Sequence, residues 1–332
     1  MPTPCATPRS RPRRQCLLAL AATACAAAGH AQQPRYPERP VTLVVPFAPG
    51  GIADLTARTV GESLARQLGQ AVVVDNQPGA GAVVASQRVA QAAPDGHTLL
   101  LLSNANAVAV SLLKPPGPDP QKLFAPISTL GAFDLGVFAS ASGRFATLAT
   151  ALTWARANPG RLNIATIAAG STQHLAAKLF EARAGIDALV VPYKGSPAVL
   201  TALRAGEVDL VVEILGPMLP QLKAGTVRAL AVAGAKRHPL LPEVPTVAEA
   251  GVAGVDVASW NALAAPAGTP PAVVEQLNRA VRAALAEPAV QQRLAPLGVR
   301  LAAGTPADLH VLLAAEVRRW GDLIRAAKIT AE

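Results

Sequence analysis

Short apolar runs alternate with amphipathic helical stretches along the first third of the chain, and this alternation restricts the fold more than any other feature. The last of these runs, His97–Leu102, is continuous, which is typical of a strand buried on both faces. A strand–helix–strand–helix–strand order predicts a parallel sheet with right-handed crossovers, and therefore an α/β fold. The preceding predicted elements are the strand Val41–Phe47, the helix Ile52–Leu68 capped by Gly69, the strand Val72–Asp75 and the helix Ala82–Ala92.

A second alternating set follows a proline-rich loop, Lys114–Ser128, and gives way near Trp260 to a strand and a helical tail. The tail is too short for a further domain and has no sheet of its own, so we expect it to pack on the first lobe. The chain would then cross between two lobes twice, near Gly131–Phe133 and Val255–Trp260, which makes a hinge and a cleft. The predicted lobes are residues 32–132 with 256–332, and residues 133–255.

Residues 1–31 have the pattern of a secretory signal peptide. Four arginines precede an apolar run, Cys16–Ala28, that is too short to span a bilayer, and small residues follow it. We therefore expect an exported protein that is cleaved after Ala31. Two variants stay open. Lipid could be attached at Cys25, although a large aliphatic residue is missing three positions before it, and the arginine pair could direct twin-arginine export, although its neighbours fit poorly.

Charge and cysteine content exclude several classes of function. All three cysteines lie in the leader, so the mature chain is predicted to contain no disulfide and no thiolate metal site. The formal net charge of +9 falls to +5 without the leader's four arginines, because 26 basic and 21 acidic residues remain. These charges are scattered and few aromatic residues accompany them, so nucleic acid is not an expected partner.

The motifs of common catalytic and metal sites are missing from the sequence. It contains no Gly-x-Ser-x-Gly segment, and no cysteine remains as a nucleophile. Ser171 lies three residues before His174, but at a predicted helix start, where its hydroxyl would cap backbone amides. The histidines outside the leader have no partner at metal-ligand spacing, and the Pro-Gly-Ala-Gly segment lacks the third glycine of a dinucleotide site. We therefore predict no catalytic residue, no metal and no cofactor.

Five loops of one type remain, each between a predicted strand and a helix start. They combine glycine or small residues with unpaired backbone amides, at the edge where open α/β sheets bind ligands. A helix start carries partial positive charge, which suits an anion. Lys194 is their only cationic side chain, so we expect a carboxylate bound by amides, hydroxyls and water rather than by arginine. The loops are FAPGGIAD from Phe47, NQPGAGA from Asn76, LLSNAN from Leu101, AAGSTQH from Ala168 and YKGSP from Tyr193.

Polar side chains near these loops have more than one interpretation. Asp54 lies in a first helical turn, where an acid stabilises the amino terminus. It could instead orient a water or accept a hydrogen bond from a ligand hydroxyl or ammonium group. Tyr193 could form part of the cleft wall or pack in the core. Ser103 and Glu213 follow strands at the same edge and are further candidate ligand contacts.

Seven segments of the mature chain carry a family pattern: YPERPVTLVVPFAPGGIADLTAR, VVVDNQPGAGA, APDGHTLLL, GSTQHLAAKLF, VPYKGSPAVLTALRAGEVDL, VRALAVAGAKRHPLLPEVPTVAEAG and WNALAAPAGTPPAVVEQLN. In this order they resemble the segments of the tripartite tricarboxylate transporter receptors, the Bug family. The resemblance covers essentially all of Tyr36 to Lys328. It implies a monomeric periplasmic binding protein of the two-lobed, Venus-flytrap type, which would hand carboxylate ligands to the subunits of a membrane permease.

Carried over residue by residue, the resemblance implies ligand contacts from four loops. Three positions depart from the family pattern: Ala82 replaces a usual glycine, His97 stands where tyrosine is common, and Val212-Glu213 replaces Phe-Asp. Ala82 could narrow the cleft and Glu213 could alter a polar contact, so the resemblance does not identify the ligand. The matching positions are Phe47, Ala48, Gly50, Gly51 and Asp54 in the first loop, Gly79 and Gly81 in the second, Ser171 and Thr172 at a helix start of the second lobe, and Tyr193, Lys194 and Gly195 in the last.

The predicted function is a non-enzymatic receptor for a small organic anion, a mono- or dicarboxylate. A ligand sensor that acts with a membrane kinase would use the same scaffold, and the sequence does not separate it from a transport receptor. A periplasmic hydrolase using the same cleft is a further alternative, although the sequence offers no acid–base pair or activated nucleophile for it.

Overall fold

The computed structural model describes residues 1–4, 36–326 and 329–330. Residues 5–31 of the predicted signal peptide, its cleavage at Ala31 and the alternative lipid site at Cys25 lie outside these residues. Contacts divide the chain into two units, Met1–Glu38 and Arg39–Glu332, and the second unit contains the helices and strands described below. Within the described residues, no helix has the length and apolar character needed to cross a membrane.

Strands and helices alternate through most of the second unit. Two short 3₁₀ turns, Ala80–Ala82 and Ala295–Leu297, complete the set. The elements are, in order, β1 Val41–Val45, α1 Ile52–Leu68, β2 Val72–Asn76, α2 Val83–Ala90, β3 Thr98–Ser103, α3 Asn104–Leu112, α4 Pro120–Leu123, β4 Phe124–Ser140, α5 Leu148–Ala157, β5 Leu162–Ile167, α6 Thr172–Ala184, β6 Ala188–Tyr193, α7 Ser196–Ala205, β7 Leu210–Ile214, α8 Leu215–Lys223, β8 Val227–Val232, β9 Ala258–Pro266, α9 Pro271–Ala286, α10 Pro288–Leu294, β10 Val299–Leu301 and α11 Pro306–Ala326.

The first sheet is built from β1, β2, β3, β9, β10 and the first part of β4. β1 pairs in parallel with β2 on one side and with β3 on the other, as the strand–helix alternation predicts. β9 then joins from the far end of the chain and pairs antiparallel with β3, with Asn261 opposite Ser103. The carboxyl ends of β1 and β3 therefore lie at one edge of this sheet.

The second sheet is built from β5, β6, β7, β8 and the last part of β4. β5 pairs in parallel with both β6 and β7, so this sheet repeats the parallel core of the first. β4 pairs antiparallel with β7 and β8, and α6, α7 and α8 each begin directly after or close to the carboxyl end of a strand. The second set of predicted elements thus forms a sheet of its own.

β4 is shared by the two sheets and is longer than predicted. It begins at Phe124, inside the proline-rich segment, whereas the sequence pattern placed its start at Phe133. Proline is tolerated there because the pairing with β9 is irregular between Pro126 and Ser128, where a ladder hydrogen bond is not required. Because both sheets share β4, the lobe boundaries at residues 132–133 and 255–256 stay a prediction.

Each sheet packs on its own apolar core. Val44, Leu100 and Trp260 of the first sheet are buried in one cluster with Leu309 and Leu313 of α11. The last helix therefore packs on the first sheet. The second core combines residues from the second sheet with residues from α7 and α8: Phe138, Ala165, Val199, Val211 and Leu215.

Candidate functional site

A cavity of about 40 Å³ that opens to solvent lies where helix starts that follow both sheets meet. Half of the sequence-predicted contacts line it and half do not. Those that do are Phe47, Ala48, Gly51, Ser103, Thr172, Lys194 and Gly195. Those that do not are Gly50, Asp54, Gly79, Gly81, Ser171, Tyr193 and Glu213. The wall also contains residues that the sequence analysis did not select, among them Phe133, Gln173, Ser196, Ile214, Ser259 and Asn261.

The start of α1 supplies bare backbone to the cavity. Gly51 is the N-cap residue and provides no side-chain cap, and Ile52 and Ala53 line the cavity beside it. The first hydrogen bond of this helix runs from the amide of Leu55 to the carbonyl of Gly51 at 3.0 Å. The amides of Ile52 and Ala53 precede that bond and have no partner within the helix. This corner can therefore present main-chain donors to an anion.

Asp54 organises the first loop and does not line the cavity. Its carboxylate accepts hydrogen bonds from the amide of Gly50 at 3.0 Å, from Arg58 Nε at 3.0 Å and from Asn76 Nδ2 at 3.0 Å. Burial acts to raise the pKa of Asp54, but the hydrogen bonds from Arg58, Gly50 and Asn76 together lower it below its usual value. The structure thus favours the structural interpretation of Asp54. The amide of Gly50 belongs to the same hydrogen-bond network. Asn76 Nδ2 also donates to the carbonyl oxygen of Phe47 at 3.0 Å.

The start of α6 combines a capped amide with two residues of the cavity wall. The Ser171 hydroxyl accepts from the amide of His174 at 3.1 Å, so it is a helix cap as its position predicted. Ser171 was also carried over as a ligand contact, and in the structure it is buried behind the wall. Thr172 and Gln173 follow it and line the cavity instead.

The start of α7 is uncapped, like that of α1. Gly195 is its N-cap residue, no side chain caps it, and Gly195 and Ser196 both line the cavity. Lys194 is exposed and is the one lining residue with an ionisable side chain in the described part of the chain. Tyr193 packs against the second core and is not part of the wall, so core packing is the interpretation that the structure supports for it.

The second glycine loop reaches the cavity through Pro78 rather than through Gly79 and Gly81. Gly81 has a φ of 59°, and it lies so close to Gly170 that a Cβ on Gly170 would be 3.3 Å from the Gly81 Cα. Ala82 also has a left-handed backbone, with a φ of 73°. Direct ligand contacts from Gly79 and Gly81 stay a prediction of the resemblance; in the structure Gly81 lies in a close approach to the loop before α6.

Glu213 lies behind the wall and holds two of its residues. Its Oε1 accepts hydrogen bonds from Gln173 Nε2 at 2.7 Å and from the amide of Ile214 at 2.8 Å. Burial raises the pKa of this fully buried carboxyl, and hydrogen bonds from Gln173, Ile214 and Ser196 oppose that rise. Glu213 was predicted as a direct contact, whereas the structure gives it a role in orienting Gln173.

Residues from the two sides of the cavity approach each other closely. The hydroxyls of Thr172, at the start of α6, and Ser259, on β9, are 3.2 Å apart. A Cβ on Gly216 of α8 would lie 2.7 Å from the carbonyl oxygen of Leu297 and 3.0 Å from Ile52 Cδ1. Small residues at these contacts therefore let the elements that follow the two sheets meet around the cavity.

The described residues include no group of three or more His, Cys, Asp or Glu side chains that could hold a metal ion. The arrangement instead combines helix starts with hydroxyl and amide side chains. Such a set can bind an anion and the polar groups attached to it.

A family model described as "Tripartite tricarboxylate transporter family receptor" matches residues 56–329 of the chain. A protein encoded in the tcbD–tcbE intergenic region of Pseudomonas sp. (strain P51) is 38% identical over 322 residues, which cover 96% of each chain. BugT of Bordetella pertussis is 36% identical over 293 residues, which cover 87% of this chain and 90% of BugT.

Solved structures agree with these relatives. The periplasmic binding protein BugD superposes with a TM-score of 0.85 and 34% identity, over 90% of this chain and 100% of BugD. MatC from Rhodopseudomonas palustris with bound malate gives a TM-score of 0.82 and 35% identity, over 87% of this chain and 100% of MatC. R. palustris Rpa4515 with adipate gives a TM-score of 0.84 and 36% identity, over 89% of this chain and 99% of that protein.

These matches confirm the two-lobed α/β fold of the periplasmic binding proteins that the resemblance implied. They extend over nearly the whole described chain, and the family model includes the loops that begin α3, α6, α7 and α8. The chain belongs to the tripartite tricarboxylate transporter receptors and, within them, to the Bug family.

Proposed function

We propose that the protein captures a small carboxylate in the cavity between its two sheets and hands it to the permease subunits of a tripartite tricarboxylate-type transporter. Family and fold are those of solute-binding proteins rather than enzymes. In this proposal the ligand is bound reversibly and leaves unchanged. The protein acts in the periplasm after its leader is removed near Ala31.

The observation that supports this proposal most is the set of uncapped helix starts around one cavity. Gly51 of α1, Gly195 of α7 and Ile214 of α8 are N-cap residues that supply no side-chain cap, and all three line it. Each helix start carries about half a positive charge. The ligand carboxylate would accept hydrogen bonds from their free amides, with Lys194 adding a solvated positive charge at the edge.

Two relatives support the ligand class. MatC has been solved with malate and Rpa4515 with adipate, and each is at least one-third identical to this chain. Both ligands are small dicarboxylates. The proposal for this chain is therefore the class of ligand, a small carboxylate, and not a particular compound.

The proposal is tested by removing one backbone amide donor and comparing the result with a control variant that loses the same side chain but keeps the amide. Ile52 is the first residue of α1, where proline is well tolerated because its missing amide has no partner within the helix. Gly51 before it is extended, with φ −82° and ψ 170°, which is the conformation a following proline requires. Ile52→Pro therefore removes a donor without breaking a helix hydrogen bond. Ile52→Ala is the matched control, because it removes the side chain and keeps the amide.

Isothermal titration calorimetry with malate, succinate, adipate and their diamides gives the readout. We expect carboxylates to bind and diamides not to bind. A hydrogen bond to a charged group contributes about 1.5–3 kcal/mol, so Ile52→Pro should weaken binding about 10- to 150-fold relative to Ile52→Ala. Equal affinities of the two variants would contradict binding by the α1 amides. Recovery of altered ligand by NMR after incubation would contradict a non-enzymatic receptor.

A further inference from the structure

Asn261 brings a buried amide into the cavity, and the structure leaves half of that amide unused. It lies on β9, directly opposite Ser103 in the antiparallel pairing with β3, and it lines the cavity. Its side chain is 3% exposed. Nδ2 donates to the carbonyl oxygen of Trp260 at 3.1 Å. Oδ1 is buried and accepts no hydrogen bond from any described residue.

The neighbouring carbonyl fixes which atom of the Asn261 amide is left without a partner. If the Asn261 amide were turned over, Oδ1 would face the oxygen of Trp260, and two acceptors would oppose each other. The NH₂ group must therefore lie toward Trp260, which leaves the oxygen as the unsatisfied atom. A buried acceptor without a donor costs free energy, so a ligand that supplies a donor gains affinity that a ligand without one does not.

Gln173 adds a second amide with a fixed orientation. Its Nε2 is bound to Glu213 Oε1, which also accepts from the amide of Ile214. Glu213 Oε1 acts as the acceptor in both hydrogen bonds. The NH₂ group of Gln173 therefore lies toward Glu213, and the amide oxygen of Gln173 is turned away from it. Gln173 and Asn261 both belong to the cavity wall, so the wall contains amide side chains in addition to the helix starts.

Charge distinguishes a neutral donor from a cationic one. Among the described residues that line the cavity, Lys194 alone has an ionisable side chain, and its charge is positive. An ammonium group on the ligand would meet that charge and no lining carboxylate. A hydroxyl can donate to Asn261 without carrying a charge into the cavity, so the unused acceptor fits it best.

We propose that Asn261 determines specificity by accepting a hydrogen bond from a hydroxyl group of the ligand, so that the cavity selects hydroxycarboxylates over carboxylates of the same length without the hydroxyl. This inference rests on the proposed function, because it concerns the same cavity and ligand class. It adds a residue that the loop motifs did not indicate and a chemical feature that the ligand must carry.

The test compares ligands that differ by one group. Dissociation constants for malate and succinate, and for 2-hydroxyglutarate and glutarate, are measured by calorimetry on the purified protein. We expect each hydroxylated ligand to bind about tenfold more tightly than its partner, the factor that corresponds to one net hydrogen bond. Aspartate replaces the hydroxyl of malate by an ammonium group and should bind more weakly than malate.

Two substitutions locate the effect. Asn261→Leu has nearly the same shape and no acceptor, and Asn261→Ala has no acceptor and leaves space. Both variants should reduce the ratio of the succinate and malate dissociation constants to about one. If leucine acted only by blocking the cavity, the alanine variant would keep the preference. Asn278→Ala is the control. Asn278 is a buried asparagine outside the cavity that donates to the carbonyls of Ile127 and Gly304, and its loss should lower thermal stability without changing the preference.

The outcomes separate this inference from the function on which it rests. If no carboxylate binds, the proposed function fails. If succinate and malate bind equally to the unmodified protein, or if the preference survives in both Asn261 variants, only the assignment to Asn261 is overturned. Preference for aspartate over malate would also overturn it, because the acceptor would then serve a cation.

Discussion

Replacement of Glu213 by glutamine should change how stability depends on pH. Glu213 is fully buried, and burial raises the pKa of its carboxyl above the ordinary value of 4.5. Glu213→Gln keeps an oxygen to accept from Gln173 and from the amide of Ile214, and it removes the ionisable group. The shape of the side chain is almost unchanged, so the difference between the two proteins isolates the proton.

The sign follows from which state holds the proton. Below about pH 4.5 both folded and unfolded chains carry a protonated Glu213, and the carboxyl causes no pH dependence. Above that pH, Glu213 ionises in the unfolded chain but keeps its proton in the folded chain. The free energy of unfolding of the unmodified protein therefore falls as pH rises. The loss is about 1.4 kcal/mol per pH unit and continues until the pH reaches the pKa of the folded state. Glutamine does not ionise and escapes this loss.

Urea unfolding of both proteins at pH 4.5, 5.5 and 6.5 measures this difference. The stability of Glu213→Gln relative to the unmodified protein should rise with pH over that range, with a slope that approaches but does not exceed about 1.4 kcal/mol per unit. All other titrating groups are common to the two proteins and cancel. Glu275→Gln, which removes an exposed carboxylate, controls for the general change in charge. A stability difference that does not change with pH would refute the reasoning.

Two further substitutions test the glycine geometry around the cavity. Ala82 has a φ of 73°, a conformation that costs an L-residue about 1–2 kcal/mol. Ala82→Gly should therefore raise the free energy of unfolding by about 0.5–1 kcal/mol and the melting temperature by about 2 °C. An unchanged or lower melting temperature would exclude backbone strain at this position. Gly216→Val places side-chain atoms against the Leu297 carbonyl, which a Cβ would approach to 2.7 Å. It should cost about 1–3 kcal/mol and weaken malate binding by preventing closure, and a larger radius of gyration in solution scattering should accompany it. Normal affinity with an unchanged radius would show that the contact is not needed for closure.

Much of the fold was predictable because periodicity and capping residues agree. The strands β1 and β3, the helix Ile52–Leu68 and the cap at Ser171 lie where the sequence placed them. Only the start of the helix Asn104–Leu112 was expected and its length was not, because the helix is buried on nearly all sides and its sequence has no distinct polar face. α8 was missed because Pro217 and Pro220 interrupt its pattern, although the first of them lies within the opening turn, where proline is tolerated.

The site was predictable where it consists of main chain and less so where it consists of side chains. The glycine corner before α1 and the loop before α7 reach the cavity, because a strand end followed by a helix start fixes their position. Ser259 and Asn261 come from β9, more than 60 residues after the loop before α7 and more than 200 after the glycine corner, and only the pairing of β9 with β3 brings them there. One signal was present: Ser259 and Asn261 are polar residues in a strand whose other residues are apolar, and a buried polar group is informative.

The position of β9 has a consequence for how the chain folds. The strands of the second sheet, including its part of β4, lie between residues 134 and 232 and can pair as soon as that stretch is free. The first sheet has to wait for Ala258–Pro266, which inserts between β3 and β4 and is separated from β3 by more than 150 residues. Closing so large a loop is slow. A chain that folds as it emerges should thus complete its middle sheet early, and its amino-terminal sheet should be complete only after Ala258–Pro266 has emerged.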